Sequence, residues 1–378
     1  EARMQLHVSM SGVSREWPPE LLLNQTKCPV IVAEVAGAQH LSSDCAWQPL
    51  GSAVPGFIIA DYQVLERAGV EVHYLPTHAV GAGRYADTAE SVAPFISEWF
   101  GPPREKGRTA DLPDADAAPF ESGALLLTPL AGADSKLAGL AAAHQLTHAA
   151  FLSFRPWIEE GLAHFAQALY REHEKGRRAG LDYMGLHRSA FAEAEKQAAR
   201  GEDEISRSLV STASEELYRS KAMYVWWMLR DMIGDAALKK ALAAYRPEQD
   251  QEPSYMPQLI AAQTQRDLAW FFDDWVYHDR GLPEFKVESA FSGKISDSSF
   301  LVTITVDNLG TAGAEVPLTV KFAGGEVTRR LEVRAKSKAT VRVETPAAPQ
   351  EIVVNDGSVP ESDVTNNVFK IQTTDPAK

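Results

Sequence analysis

The run Ala143-His144-Gln145-Leu146-Thr147-His148, followed by Trp157-Ile158-Glu159-Glu160-Gly161-Leu162-Ala163, constrains this chain more than any other stretch. The spacing predicts a helix that starts after Asp134, a good N-cap residue, and runs to about Phe154, just before Arg155-Pro156. His144 and His148 are four positions apart, so both imidazoles leave one face, one turn apart. Two neutral nitrogens so placed can bind one Zn²⁺ at about 2.0–2.1 Å. A hydrolytic zinc site commonly takes a carboxylate as its third ligand. Glu160 stands at the head of the next helix, whose apolar stripe is Leu162, Phe165, Ala166 and Leu169 and whose stop is Gly176. Glu159 is the alternative ligand. Two histidines on an ordinary core helix give the same spacing, so the carboxylate-bearing second helix is what makes the pair a candidate metal site.

Together the two segments resemble the gluzincin metallopeptidases of the aminopeptidase N and leukotriene hydrolase family, where HExxH is followed by Trp-Leu-x-Glu-Gly-Phe-Ala. The resemblance implies that His144, His148 and Glu160 are zinc ligands, the Glu-Gly-x-Ala phase selecting Glu160 over Glu159. The interval from His148 to Glu160 is shorter than the family usually has, which implies a trimmed connection. The HExxH glutamate is the general base that takes a proton from zinc-bound water. Gln145 occupies its position here. A carboxamide holds water by hydrogen bonds but accepts no proton at neutral pH. General-base catalysis alone is worth typically ~10²–10⁴-fold. The implied protein is an aminopeptidase-like zinc metallopeptidase that keeps its zinc and has little or no turnover. Its partner is a peptide or protein substrate. A natural pseudo-peptidase that binds peptides or proteins, an introduced loss of the base, and an endopeptidase with the same zinc chemistry all remain open at this level.

Two further residues follow from the resemblance. Glu121, in Pro119-Phe120-Glu121-Ser122-Gly123, precedes a predicted strand over Ala124 to Thr128. The family carries Gly-x-Met-Glu-Asn on this strand, and its glutamate binds the substrate's free amino group. The flanking Gly, Met and Asn are absent, so strict aminopeptidase action is in doubt. A solvated glutamate at a strand start is the plain alternative. Tyr218, in Leu217-Tyr218-Arg219-Ser220-Lys221-Ala222, resembles the family's Tyr-Glu-Lys-Gly segment, whose tyrosine donates to the tetrahedral oxyanion. One such donor is worth about 2.7–4 kcal/mol in a transition state. The alternative is an amphipathic tyrosine packing at the surface.

The remaining chain sets the frame. Its 378 residues suffice for two or three domains. The expected fold is α+β and multidomain. The resemblance implies a truncated N-terminal β region over 1–69, a plain N-terminal sheet of the catalytic domain being the alternative, and a thermolysin-like domain of mixed sheet plus helical lobe over 70–284. A C-terminal β-sandwich spans 285–378. The last follows from period-two runs such as Val302, Ile304, Val306 and Val316, Leu318, Val320. In the middle region, Val70 to Leu75 reads as a strand, Arg84 to Phe100 as a helix, and residues 103–118 as an exposed loop. Thr212 begins a helix through Met232, and the turn at 360–367 reads as an ordinary polar turn rather than a calcium site. With 37 basic against 51 acidic residues the net charge is −14 without a basic cluster, which argues against nucleic acid and anionic membranes. No apolar run reaches transmembrane length, so no membrane insertion is expected. Glu1 in place of Met suggests a processed or trimmed product, secreted or periplasmic. Cys28 and Cys45 suit either a disulfide or two thiols.

Overall fold

The computed structural model describes residues 4–12, 21–23, 26–28, 31–35, 38–47 and 57–58 as strands, then 62–67, 69–132, 135–198, 208–296 and 299–371. Side chains are described from Tyr62 onward apart from 135–136 and 196–198. The Asp134 cap and the thiols of Cys28 and Cys45 therefore lie outside the described part. The chain is α+β and divides into two compact units, Glu1–Tyr170 and Arg171–Lys378.

The first unit opens with strands β1 (Met4–Gly12), β2 (Leu21–Leu23), β3 (Thr26–Cys28), β4 (Ile31–Val35), β5 (Ala38–Trp47) and β6 (Phe57–Ile58). They form two three-stranded sheets, β1-β5-β4 and β3-β2-β6. Next come β7 (Gln63–Arg67), β8 (Val70–Tyr74), helix α1 (Ala79–Phe100), β9 (Gly107–Asp111), β10 (Phe120–Ser122) and β11 (Leu125–Thr128). These strands make one mixed sheet in the order β10-β11-β9-β8-β7. β8, β9 and β11 run parallel, and both outer pairs are antiparallel. Parallel neighbours need a crossover, and α1 supplies the one from β8 to β9. Its buried stripe is Tyr85, Ala86, Ala89, Val92, Ile96 and Trp99, at helical spacing. α1 starts five residues earlier than the sequence predicts, at Ala79 rather than Arg84.

The expected exposed loop over 103–118 is corrected in its middle. Gly107–Asp111 is a strand with neighbours on both sides, and Thr109, Ala110 and Asp111 are fully buried. The segment lacks apolar alternation because its polar groups are used internally. The Asp111 carboxylate accepts from Leu75 N at 3.1 Å and Leu130 N at 2.9 Å, and lies 2.7 Å from His78 Nδ1. A buried carboxylate so satisfied reads as a loop residue in the sequence alone.

Helices α2 (Ser135–Ala150) and α3 (Pro156–Lys175) follow. α2 ends four residues short of the predicted Phe154. Pro156 opens α3, where its missing N–H costs nothing.

The second unit contains α4 (Arg177–Ala198), a π-helical turn at Glu216–Lys221, α5 (Ala222–Ile233), α6 (Asp235–Ala244), α7 (Tyr255–Ala261) and α8 (Ala269–Phe272). Trp226, Trp227, Phe271 and Trp275 are fully buried there. Seven strands follow: β12 (Phe285–Ser296), β13 (Ser299–Asn308), β14 (Ala314–Phe322), β15 (Gly325–Val333), β16 (Lys338–Thr345), β17 (Pro349–Val354) and β18 (Val368–Lys370). They form two antiparallel sheets, β12-β13-β16 and β15-β14-β17-β18. Val302, Ile304 and Val306 of the first sheet, and Val316, Leu318, Val320, Ile352 and Val354 of the second, are fully buried. That is the period-two pattern of sheets with one covered face. The turn before β18 is held by Glu361, which accepts from Phe285 N at 2.9 Å and Asn367 Nδ2 at 2.6 Å, and from Asn355 Nδ2.

Candidate metal centre

α2 is rich in alanine, the strongest helix former, and its small side chains let it lie close on its neighbours. His144 and His148 are 3% and 5% exposed, with ring centroids 4.8 Å apart. Their Nε2 atoms are 3.1 Å apart and point at a common spot. The short link 151–155 brings α3 back beside them. Glu160 places Oε1 3.5 Å from His148 Nε2 and Oε2 3.8 Å from His144 Nε2. Ligand atoms of all three residues lie within 4.8 Å of one another. Donors of one tetrahedral ion at the usual zinc bond lengths are separated by about 3.3 Å. The three predicted ligands therefore meet at nearly coordinating separations, and their chemistry, two imidazoles and a carboxylate, fits zinc.

Glu159 occupies a different place. Its Oε1 lies 3.9 Å from His148 Nδ1, the ring nitrogen opposite the shared spot. A carboxylate there suits an outer contact that orients the ring. Glu121, carried by β10, reaches the cluster directly, with Oε2 2.9 Å from His144 Nε2. Burial pulls the His144 pKa down, but the carboxylates of Glu121 and Glu160, with hydrogen bonds donated to Glu121 and Gln167, overcome it and hold the ion-free imidazole at about 9. Beside Glu121 lies a cavity of about 490 Å³, walled by Leu126, Leu130, Leu137 and Ala141, with Tyr85 and Gln167 among its polar groups.

Gln145 leaves α2 about 100° round the helix from His144. Its amide is 1% exposed and fully engaged. Nε2 donates to Arg108 O at 2.7 Å, to Ala124 O at 3.0 Å and to Thr109 Oγ1 at 3.2 Å. Oε1 accepts from Tyr85 Oη at 2.8 Å. Carbonyls only accept, so the NH₂ end must face β9 and β11. Burial, partly offset by a hydrogen bond with Thr109 and reinforced by Glu121, raises the Tyr85 pKa and keeps its hydroxyl a donor. Gly107 leaves the room, since a Cβ there would stand 3.0 Å from Gln145 Cδ.

A scan against protein-family models finds no match, and no curated protein matches the sequence. Solved structures do. The aminopeptidase A of Legionella pneumophila, solved in complex with aspartic acid, superposes with a TM-score of 0.60 at 14% sequence identity over 95% of this chain. The chain shares the fold of the matched part of that protein. It spans 44% of that protein, less than half of its length.

Tyr218 belongs to the second unit, half-buried in the π-helical turn, with the Arg219 guanidinium 5.8 Å from its ring centre. π-turns recur at functional sites. In the same turn Lys221 is buried between Glu195 at 2.5 Å and Asp279 at 2.6 Å. The sequence reading missed three contributors near the metal centre. His164 packs edge-on against His144 with centroids 5.0 Å apart. Its position four after Glu160, on the same helix face, was the available signal. Tyr85 and Thr109 had none, because their contact with Gln145 joins segments far apart in the chain.

Proposed function

We propose that this chain is a zinc-binding, aminopeptidase-like protein that holds peptides by their amino ends and turns them over little or not at all. The meeting of His144, His148 and Glu160 in one cluster, with Glu121 on its rim, carries this reading. The ligands would be those three side chains. Zinc in such a site polarises a carbonyl and lowers the pKa of bound water. Glu121 pairs with a peptide α-ammonium and sets the first residue beside the metal. The adjoining apolar cavity takes that residue's side chain. Gln145 supplies no general base, because its oxygen and both amide hydrogens serve the fold. Tyr218 is assigned as the oxyanion donor on its sequence context and π-turn setting.

The domain reading belongs to the same proposal. It comprises an N-terminal β region (1–69), a thermolysin-like domain (70–284) and a C-terminal β-sandwich (285–378). Such appended sandwiches suit secreted or periplasmic peptidases. Among the described residues no helix is long and apolar enough to cross a membrane. The test is metal content together with peptide affinity of the zinc-loaded chain. One zinc per chain is expected, with a free-amine peptide bound roughly 10-fold or more tighter than its N-acetylated form, a difference lost in Glu121→Gln. Absence of stoichiometric metal, or equal affinity for the two peptides, overturns the reading.

A further inference from the structure

We propose that Gln145 is a positioning residue around which the fold is built, an amide tie that sets the metal-bearing helix on the sheet, and not a disabled base. The bonding pattern at this site accepts an amide and refuses a carboxylate. Two main-chain carbonyls, Arg108 O and Ala124 O, face Nε2. Ala124 O also accepts from Arg108 N at 2.8 Å, so it is fixed by the β9–β11 pairing and cannot turn away. On the other side a tyrosine hydroxyl faces Oε1. A glutamate would keep the bonds from the Tyr85 and Thr109 hydroxyls but set its second oxygen against both carbonyls. The side chain is 1% exposed, so bulk water does not reach it. Buried like-polarity contacts of this kind are costly away from bulk water.

Gln145 sits next to His144 in sequence and one turn before His148, so its tie fixes the rotation and depth of the helix that carries both. Arg108 and Thr109 lie on β9, and Ala124 immediately precedes β11, so two points on one strand and one at the start of its neighbour hold one amide. Outer contacts that orient metal ligands are worth about 10–100-fold in affinity.

Three variants test this: Gln145→Met, Gln145→Glu and Tyr85→Phe. Each is measured for melting temperature without metal, zinc affinity by chelator competition, and the visible spectrum of bound cobalt(II), which reports ligand geometry. Gln145→Met should weaken zinc roughly 10-fold or more and alter the cobalt spectrum. Gln145→Glu should melt about 5 °C or more below the parent, or fail to fold, and release no peptide products. Tyr85→Phe removes one bond to Oε1 without adding charge and should shift affinity and spectrum in the same direction. It carries the metal measurements should Gln145→Met not fold. The proposal is overturned if Gln145→Glu keeps the parent melting temperature and gains zinc-dependent hydrolysis. It is equally overturned if the Met and Phe variants keep the parent affinity and spectrum. The metal measurements rest on the zinc reading above. If the parent binds no zinc that reading fails, while the melting comparison still decides the tie.

Discussion

Metal binding should release a proton, and its size follows from His144. Without an ion the imidazole is held at a pKa of about 9, burial being outweighed by Glu121 and Glu160. At pH 7 such a group is unprotonated only about 1% of the time. A metal needs the neutral ring, so the apparent affinity at pH 7 stands about 100-fold below its limit. It should improve close to 10-fold per pH unit from 7 towards 9. Calorimetric titration of cobalt(II) at pH 7.5, in two buffers of different protonation enthalpy, reads this as about one proton released per ion. Glu121→Gln removes the carboxylate that raises the ring most, so its proton release at pH 7.5 should be smaller. The same shift governs the metal-free fold. The folded pKa lies above the ordinary 6.5, so its contribution is fully present below about 6.5 and is lost as pH rises through 9. The shift corresponds to about 3 kcal/mol. Proton release near zero at pH 7.5, or equal affinities at pH 7 and 8.5, would refute the electrostatic reading of the site.

Two further outcomes concern the second unit. Lys221, 1% exposed and within 2.6 Å of Glu195 and Asp279, is the cation that keeps two buried carboxyls together. Lys221→Met should cost about 3–5 kcal/mol, or roughly 6–20 °C in melting temperature, and a melt within about 2 °C of the parent contradicts it. Glu361 is raised by burial to about 7, against the lowering effect of Asn355, Phe285 N and Asn367. Its folded pKa is above the unfolded 4.5, so its contribution is full below about 4.5 and is lost as pH rises through 7, about 3 kcal/mol in all. Urea midpoints should fall over that window, and Glu361→Gln should flatten the slope even if its own stability is lower.

The residues the sequence displayed best are those whose partners lie one or two turns away. His144 and His148 share a helix face by spacing alone, and Glu160 required only that α3 fold back after a five-residue link. The strands from β12 onward were legible because one covered face forces alternation. Strand β9 was not, since Arg-Thr-Ala-Asp hides its burial behind polar groups satisfied by Leu75, His78 and Leu130. The use of Gln145 was hidden for the same reason. An amide whose acceptors are main-chain carbonyls leaves no side-chain pattern to read. The resemblance to HExxH points at residue 145 only for a proton an amide would not take, and only the folded sheet shows what that amide bonds to.

Charge balance links these observations. Glu121, Glu159 and Glu160 bring three carboxylates within 4 Å of two buried imidazoles, with Glu159 and Glu160 mostly covered and Glu121 30% exposed. A protonated His144 cancels one of the three charges, whereas a divalent ion with both rings neutral cancels two. The ion therefore leaves the smaller residual charge, and buried residual charge is what a fold tolerates least. A glutamate at position 145 would add a fourth carboxylate to this corner and return the balance to its ion-free level. The neutral amide avoids that while giving two donors to carbonyls that need them. On this view the cluster of His144, His148 and Glu160 and the neutral amide beside it form one electrostatic arrangement, so Gln145→Glu should weaken ion binding rather than start hydrolysis.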